Sequence, residues 1–280
     1  MELLPDKVSI TMRKLCNLLE SSLQGRLKAV YVYGSTALGD YIEGSSDIDF
    51  IAVVEQPLSP VHIQAIIEAH EEVERILPGT DIMGAYLGQE DLGKAFNEIP
   101  FVLTYFNKQV HEDGTGTDIN PVTWWVLKHH GIRAYGLNIS FSYEISKETL
   151  IDYVMANMNS YWKNWVERLE RRLREPDLSE QTIKAAELDY AVEWCVLGML
   201  RQLYTIKEHG VTSKTGAGTY GMNLLSDRWH GLIREAIAIK RCQVERVYDS
   251  QVKRLNDLVE LLSYIHTESN RCFLKNEESE

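Results

Sequence analysis

The sequence predicts an α/β (α+β) domain built on a mixed sheet over residues 1–143, followed by an all-α helical bundle over 144–280. Two observations predict it. Up to about residue 143, short β-like apolar runs are interleaved with stretches of helical apolar spacing; from about Ser146 onward the pattern is wholly helical.

Taken in order, apolar residues at helical spacing (Val8, Met12, Leu15, Leu18, Leu19, Leu23) predict a helix over 6–24, stopped by Gly25. Ala29–Tyr33 reads as a strand that runs into Gly34-Ser35 and a short helix. A second strand covers 48–54 and breaks at Pro57-Leu-Ser-Pro60. An amphipathic helix then runs to Pro78-Gly79, and a third strand to Leu87 from Asp81. Phe101–Phe106 fits a strand or a buried helix, Gly114–Thr117 a loop, and Trp124–Ala134 a helix. Further helices are expected over 147–173, 179–208, 225–240 and 245–270. The glycine-rich region Gly210–Gly221 reads as a separator between two of them.

The chemistry lies in YGSTALGDYIEGSSDIDF, residues 33–50. Alternation along a strand turns residues i and i+2 to one face, so Asp47 and Asp49 project together while Ile48 and Phe50 enter the core. Two close carboxylates repel in a low dielectric unless a cation lies between them. Hard oxygen donors with open positions suit Mg²⁺, which is usually held by one or two carboxylates plus substrate phosphates. Gly34 and Ser35 offer backbone N–H groups and a hydroxyl to cradle a phosphate. The expectation is a nucleotidyl-transfer site.

Attack on a phosphate also needs a base to take the acceptor's proton. Asp81, at the mouth of the adjacent strand, is the candidate. Leaving pyrophosphate needs positive charge: Arg201 lies on a predicted helix, and Lys214 sits among Gly, Ser and Thr in the Gly210–Gly218 stretch. The Gly-x4-Gly-Lys order of a P-loop is absent there.

Net charge is −12 and pI about 5.2. A nucleic-acid binder normally carries a basic face, so the sequence predicts no nucleic-acid partner and favours a cationic small molecule. The start, MELLPDKVSI, lacks the features of a signal peptide, and no apolar stretch approaches bilayer length. The four cysteines (16, 195, 242, 272) show no paired spacing. These features predict a cytoplasmic protein, monomeric or weakly oligomeric.

The segment from YGSTALGD to SSDIDFIAVVEQPLS resembles the signature of the bacterial aminoglycoside nucleotidyltransferases, of the streptomycin/spectinomycin adenylyltransferase kind. The resemblance resumes at Leu197–Thr205. It implies ATP as co-substrate, Mg²⁺ on Asp47 and Asp49, and two metal ions in all. Asp81 falls where the family carries its catalytic Glu, and Arg201 and Lys214 match the pair that contacts ATP phosphates. Family members place an acid and a His on the helix before the Arg; in ungapped register those positions are Ala191 and Trp194 here. Glu187, Asp189 and Glu193 are nearby acids able to meet an acceptor's ammonium groups, and Trp194 could stack on a sugar or nucleobase. Trp124 and Trp125 offer the same stacking surface, with core packing the commoner role for all three indoles, and His129 and His130 read as structural or surface residues.

The resulting expectation is AMP transfer from ATP to a hydroxyl of an aminoglycoside-like molecule, with antibiotic resistance as its cellular meaning. Alternatives are a protein or metabolite acceptor, or a non-catalytic nucleotide-binding regulatory module. The last lacks the Arg-x4-His motif of the ribonuclease-type helical partners.

Overall fold

A computed structural model describes residues 4–277. The chain divides between Ile145 and Ser146 into two compact units. No helix among the described residues is long and apolar enough to cross a membrane.

The first unit runs α1 (Asp6–Leu23), β1 (Leu27–Val32), α2 (Gly34–Ala37), β2 (Ile48–Val54), α3 (Pro60–Ile76), β3 (Ile82–Leu87), β4 (Leu103–Phe106), β5 (Gln109–His111), α4 (Pro121–His130) and β6 (Ile132–Gly136). The strands form one sheet in the order β5-β4-β3-β2-β1-β6. The β2–β3 pair is parallel and the rest antiparallel, so the sheet is mixed. Parallel central strands must be covered on both faces, and every residue of β2 is buried. One face packs Val30, Val32, Ile48, Phe50 and Tyr86 against Val8, Met12 and Leu15 of α1 and Ile66 and Val73 of α3.

Sequence periodicity missed two edge strands here. β5 is three residues long, and β6 occupies 132–136, where the pattern predicted the end of a helix. That helix starts and stops early for local reasons. Asn120 caps it by accepting from Val122 N and Thr123 N, Pro121 takes the first position, and Gly131 N–H closes it on Leu127 O at 3.0 Å. Phe101–Phe106 resolves as a strand from Leu103.

The second unit is helical throughout: α5 (Lys147–Asn157) continues through a π-turn (Met158–Trp162) into α6 (Lys163–Leu173). In the same way α7 (Ala185–Ala191) continues through a π-turn (Val192–Val196) into α8 (Leu197–Glu208). There follow α9 (Lys214–Leu224), α10 (His230–Lys240) and α11 (Gln251–Glu277). Its core gathers Met158, Trp162, Val192, Leu197, Leu200, Leu203, Leu232, Ile233, Leu258, Leu262 and Ile265.

The expected glycine-rich separator is instead the helix α9. Glycine costs helix stability when nothing uses its small size, but a β-carbon on Gly218 would lie 2.7 Å from Ile237 Cγ1 and 3.0 Å from Leu197 Cδ2. The missing side chains let α9 sit deep against α8 and α10. Ser213 supplies the cap, accepting from Gly216 N at 3.0 Å. The helix expected over 179–208 begins at 185, and that over 225–240 begins at 230 after a 3-10 turn. The last helix covers 251–277 where 245–270 was expected.

A buried ion network braces this bundle. Glu235 and Arg254, 0% and 1% exposed, pair at 2.7 Å, and Arg254 also donates to Asp189 at 2.6 Å. Arg246 grips the same Asp189 carboxylate at 2.7 and 2.5 Å.

Candidate active site

The site of the first unit forms where β1 ends and β2 begins. Tyr33 N–H donates to Asp49 O at 3.0 Å, locking the β1 exit beside Asp49. The chain then turns sharply into α2 at Gly34, whose φ is +60°. A β-carbon there would stand 1.8 Å from Asp49 Oδ2, so only glycine lets the turn lie against the carboxylate. Next to it, Ser35 Oγ is buried and makes no hydrogen bond. A buried hydroxyl without a partner is costly, and an anion's oxygen is the natural acceptor.

Asp49 is 7% exposed and Asp47 is exposed. Because Ile48, Phe50, Ala52 and Val54 fill the α1/α3 core, Asp47 and Asp49 fall on the opposite face of β2. Both carboxylates reach the surroundings of the Tyr33 hydroxyl. Burial first, then the charges of Asp118, Asp49 and Asp47, hold that phenol well above the ordinary tyrosine pKa.

Asp118 had no motif to announce it. It precedes the α4 cap, where Asn120 Nδ2 donates to its Oδ1 at 2.9 Å and Thr123 Oγ1 to its carbonyl at 2.5 Å. Only the approach of this loop to Tyr33, a tertiary fact, brings it in.

Asp81 lies one residue ahead of β3. Its carbonyl accepts from Ile48 N at 2.8 Å, between the two aspartates of β2. Register pairs Ile82 with Ile48, and alternation puts Asp81 on the face of Asp47 and Asp49. Its side chain is exposed, and its charge helps raise the Tyr105 phenol and the Lys108 ammonium.

The donor set fits a divalent ion held partly by substrate. Among the described residues no group of three or more His, Cys, Asp or Glu side chains is placed to hold a metal. Asp47 and Asp49 alone would leave most positions of an octahedral Mg²⁺ to water and phosphate oxygens, its usual habit in nucleotide sites.

In the second unit, Lys214 opens α9 and its Nζ pairs with Glu193 Oε1 at 2.8 Å. The same ammonium lies 4.4 Å from the centre of the Trp194 ring. Burial lowers the Lys214 pKa; Glu193 opposes the shift, while Lys240 and Arg201 reinforce it. Trp194 donates through Nε1 to Tyr161 Oη at 2.8 Å and stacks on Tyr190, with centroids 6.0 Å apart. The four residues considered for the acceptor therefore part company. Glu193 and Trp194 surround Lys214, Asp189 is engaged by Arg246 and Arg254, and Glu187 is exposed and paired with Lys184 at 2.7 Å. Trp124 is buried, with Nε1 donating to Lys94 O at 2.8 Å, and His129 stacks on Trp125 at 4.2 Å.

Two family models match the chain: a nucleotidyltransferase domain over residues 12–93, and the C-terminal domain of aminoglycoside adenylyltransferases over 177–264. The chain belongs to the aminoglycoside nucleotidyltransferase family. It is a nucleotidyltransferase, and the first match contains Gly34, Ser35, Asp47, Asp49 and Asp81. The second contains Glu187, Asp189, Glu193, Trp194, Arg201 and Lys214. Among solved structures, the spectinomycin adenyltransferase AAD(9) from Enterococcus faecialis, with ATP and spectinomycin, matches with a TM-score of 0.59 at 14% identity. The match covers 91% of this chain and 98% of that one. At that identity the likeness is one of fold: a mixed-sheet nucleotidyltransferase domain followed by a helical region. No curated protein matches the chain.

Proposed function

We propose that this nucleotidyltransferase moves AMP from ATP to a hydroxyl of a cationic, aminoglycoside-like small molecule, acting in the cytoplasm and with Mg²⁺. The observation that carries the reading is the Asp49 carboxylate seated against Gly34, with Asp47 one residue away and the orphaned Ser35 hydroxyl beside it. That arrangement combines oxygen donors for a metal with a donor for a phosphate.

Asp47 and Asp49 would hold the Mg²⁺, which when bound supplies charge neutralisation at the phosphates. Gly34 lets the backbone approach the triphosphate, and Ser35 Oγ donates to it. Asp81 takes the acceptor's hydroxyl proton as the acceptor oxygen bonds to the α-phosphorus. The bond from the α-phosphorus to its bridging oxygen breaks, and pyrophosphate leaves with the electron pair. Arg201 and Lys214 bind the departing charge. The shorter Asp81 must reach further than a glutamate would, from an exposed position just before β3. Glu193 and Trp194 serve the acceptor. Asp189 supports them indirectly, by tying their helix to Arg246 and Arg254.

Asp49→Asn tests the proposal. The side chain keeps its size and loses its charge, so the fold should survive while AMP transfer to spectinomycin or streptomycin falls about 100- to 1000-fold, the order typical for loss of electrostatic stabilisation. Wild-type protein that binds Mg-ATP yet modifies neither compound would move the acceptor to a different class of molecule. Near-normal turnover by the variant would refute the metal assignment.

A further inference from the structure

Asp47 and Asp49 are held in different ways. Asp49 lies inside β2, where Tyr33 N–H donates to its carbonyl at 3.0 Å and the strand pairs on both sides. Asp47 lies one residue ahead of β2, exposed and outside the ladder. What sets its position must act through its chain neighbours. On one side, Ile48 N–H donates to Asp81 O at 2.8 Å. On the other stands Ser46.

Ser46 and Ile42 are bonded twice, in opposite directions. Ser46 N–H donates to Ile42 O at 2.8 Å, and Ile42 N–H donates to Ser46 Oγ at 3.1 Å. Ser45 N–H also reaches the Ile42 carbonyl, at 3.0 Å. Together they close residues 42–46 into a ring whose last member carries Asp47. The other end of this connection is tied to α2, since Asp40 N–H donates to Ser35 O at 2.9 Å. Residues 38–47 form neither helix nor strand, so these bonds give the stretch its fixed course. Ser46 is 9% exposed, although serine is mostly a solvated residue. Its hydroxyl is the part an alanine cannot replace: without it, Ile42 N–H loses its acceptor inside a part-buried turn.

We infer that Ser46 is a positioning residue, fixing the backbone ahead of β2 so that the Asp47 carboxylate stays on the face of Asp49. It acts through the chain and touches neither metal nor nucleotide. This rests on the Mg²⁺-dependent transfer proposed above and adds a residue to it. Groups that orient the ligands of a metal commonly matter about 10- to 100-fold to its affinity.

Calorimetric titration of ATP at a series of Mg²⁺ concentrations into wild type, Ser46→Ala and Ser46→Thr, with melting curves and steady-state kinetics of each, tests the inference. In the Ala variant the Mg²⁺ needed for half-maximal ATP affinity should rise about tenfold or more. ATP affinity without Mg²⁺ should stay at the wild-type value, because Gly34 and Ser35 are untouched. Turnover should recover as Mg²⁺ is raised, with kcat regained near saturation. The Thr variant keeps a hydroxyl for Ile42 N–H and should need close to the wild-type amount of Mg²⁺. Should the Ala variant melt below the assay temperature, Ser46→Cys, whose sulfur is a weak acceptor, takes its place with the same expectation. A wild-type Mg²⁺ requirement in the variant, or equal loss of Mg²⁺-free and Mg²⁺-dependent ATP affinity, overturns the role of Ser46 and leaves the transfer reading standing. Wild-type protein whose ATP affinity is indifferent to Mg²⁺ overturns both.

Discussion

Gly34→Ala separates the demands of the turn from those of the chemistry. Alanine at φ +60° costs about 1–2 kcal/mol. For a unit of this size that is a fall of roughly 2–8 °C in melting temperature, which the fold should tolerate. The site should not. The new methyl would stand 1.8 Å from Asp49 Oδ2, where carbon atoms of real side chains essentially never come within 3.0 Å, so the carboxylate must retreat by at least 1.2 Å. Misplacing a reacting group by about 1 Å commonly costs on the order of 100-fold in rate. We therefore expect kcat/KM for AMP transfer to drop about 100-fold or more, and the Mg²⁺ dependence of ATP affinity to weaken. Steady-state pyrophosphate release and titration of ATP with and without Mg²⁺ measure the two effects. A well-folded Gly34→Ala variant with full turnover and unchanged Mg²⁺ dependence would refute the view that Asp49 must lie against the turn.

Two further perturbations probe the scaffold. His70 is buried, its Nε2 sharing a 2.7 Å hydrogen bond with the Tyr86 hydroxyl, and burial lowers its pKa to about 3. Below the ordinary histidine range of about 6.5 the unfolded chain takes up a proton that the folded one refuses, so stability falls by about 1.4 kcal/mol per pH unit until about pH 3. Urea melts at pH 7.5 and 5.0 should show wild type losing about 2 kcal/mol more than His70→Leu; equal losses would contradict the assignment. Glu235→Gln removes one of the two carboxylates that face buried Arg254, Asp189 being the other, and should cost about 2–3 kcal/mol in urea unfolding, below the order of about 3–5 kcal/mol for a buried charge left with no partner. Lys253→Ala, which breaks an exposed pair with Asp257, should cost under about 1 kcal/mol and serves as its control.

What was legible in the sequence is what neighbours in sequence decide. Ile48-Asp-Phe-Ile-Ala-Val-Val54 reads correctly as a strand to the residue, and the helices α1 and α3 are announced by their apolar spacing and by the stops at Gly25 and Pro78-Gly79. The short strands β5 and β6 were not legible, because they exist only by pairing with β4 and β1. The α9 helix was misread because composition cannot distinguish a flexible glycine from one that makes room. Gly218 is buried between Leu197 and Ile237, residues 21 and 19 positions away. Helix propensity disfavours it, and packing overrides propensity.

The same distinction runs through the site. The residues proposed to handle phosphate lie on Gly-Ser and Asp-x-Asp, where strand geometry and turn geometry leave few alternatives, so a local pattern is enough to nominate them. Acceptor recognition has no such economy. Glu187, Asp189 and Glu193 look equivalent along one helix, yet their partners are an exposed Lys184, two arginines from α11 and the loop before it, and the Lys214 ammonium. Of the three, Glu193 holds the ammonium proposed above to bind phosphate, and phosphate on Lys214 would compete for that pairing. On the proposed reading, the acid that meets the acceptor is selected by what each carboxylate already holds.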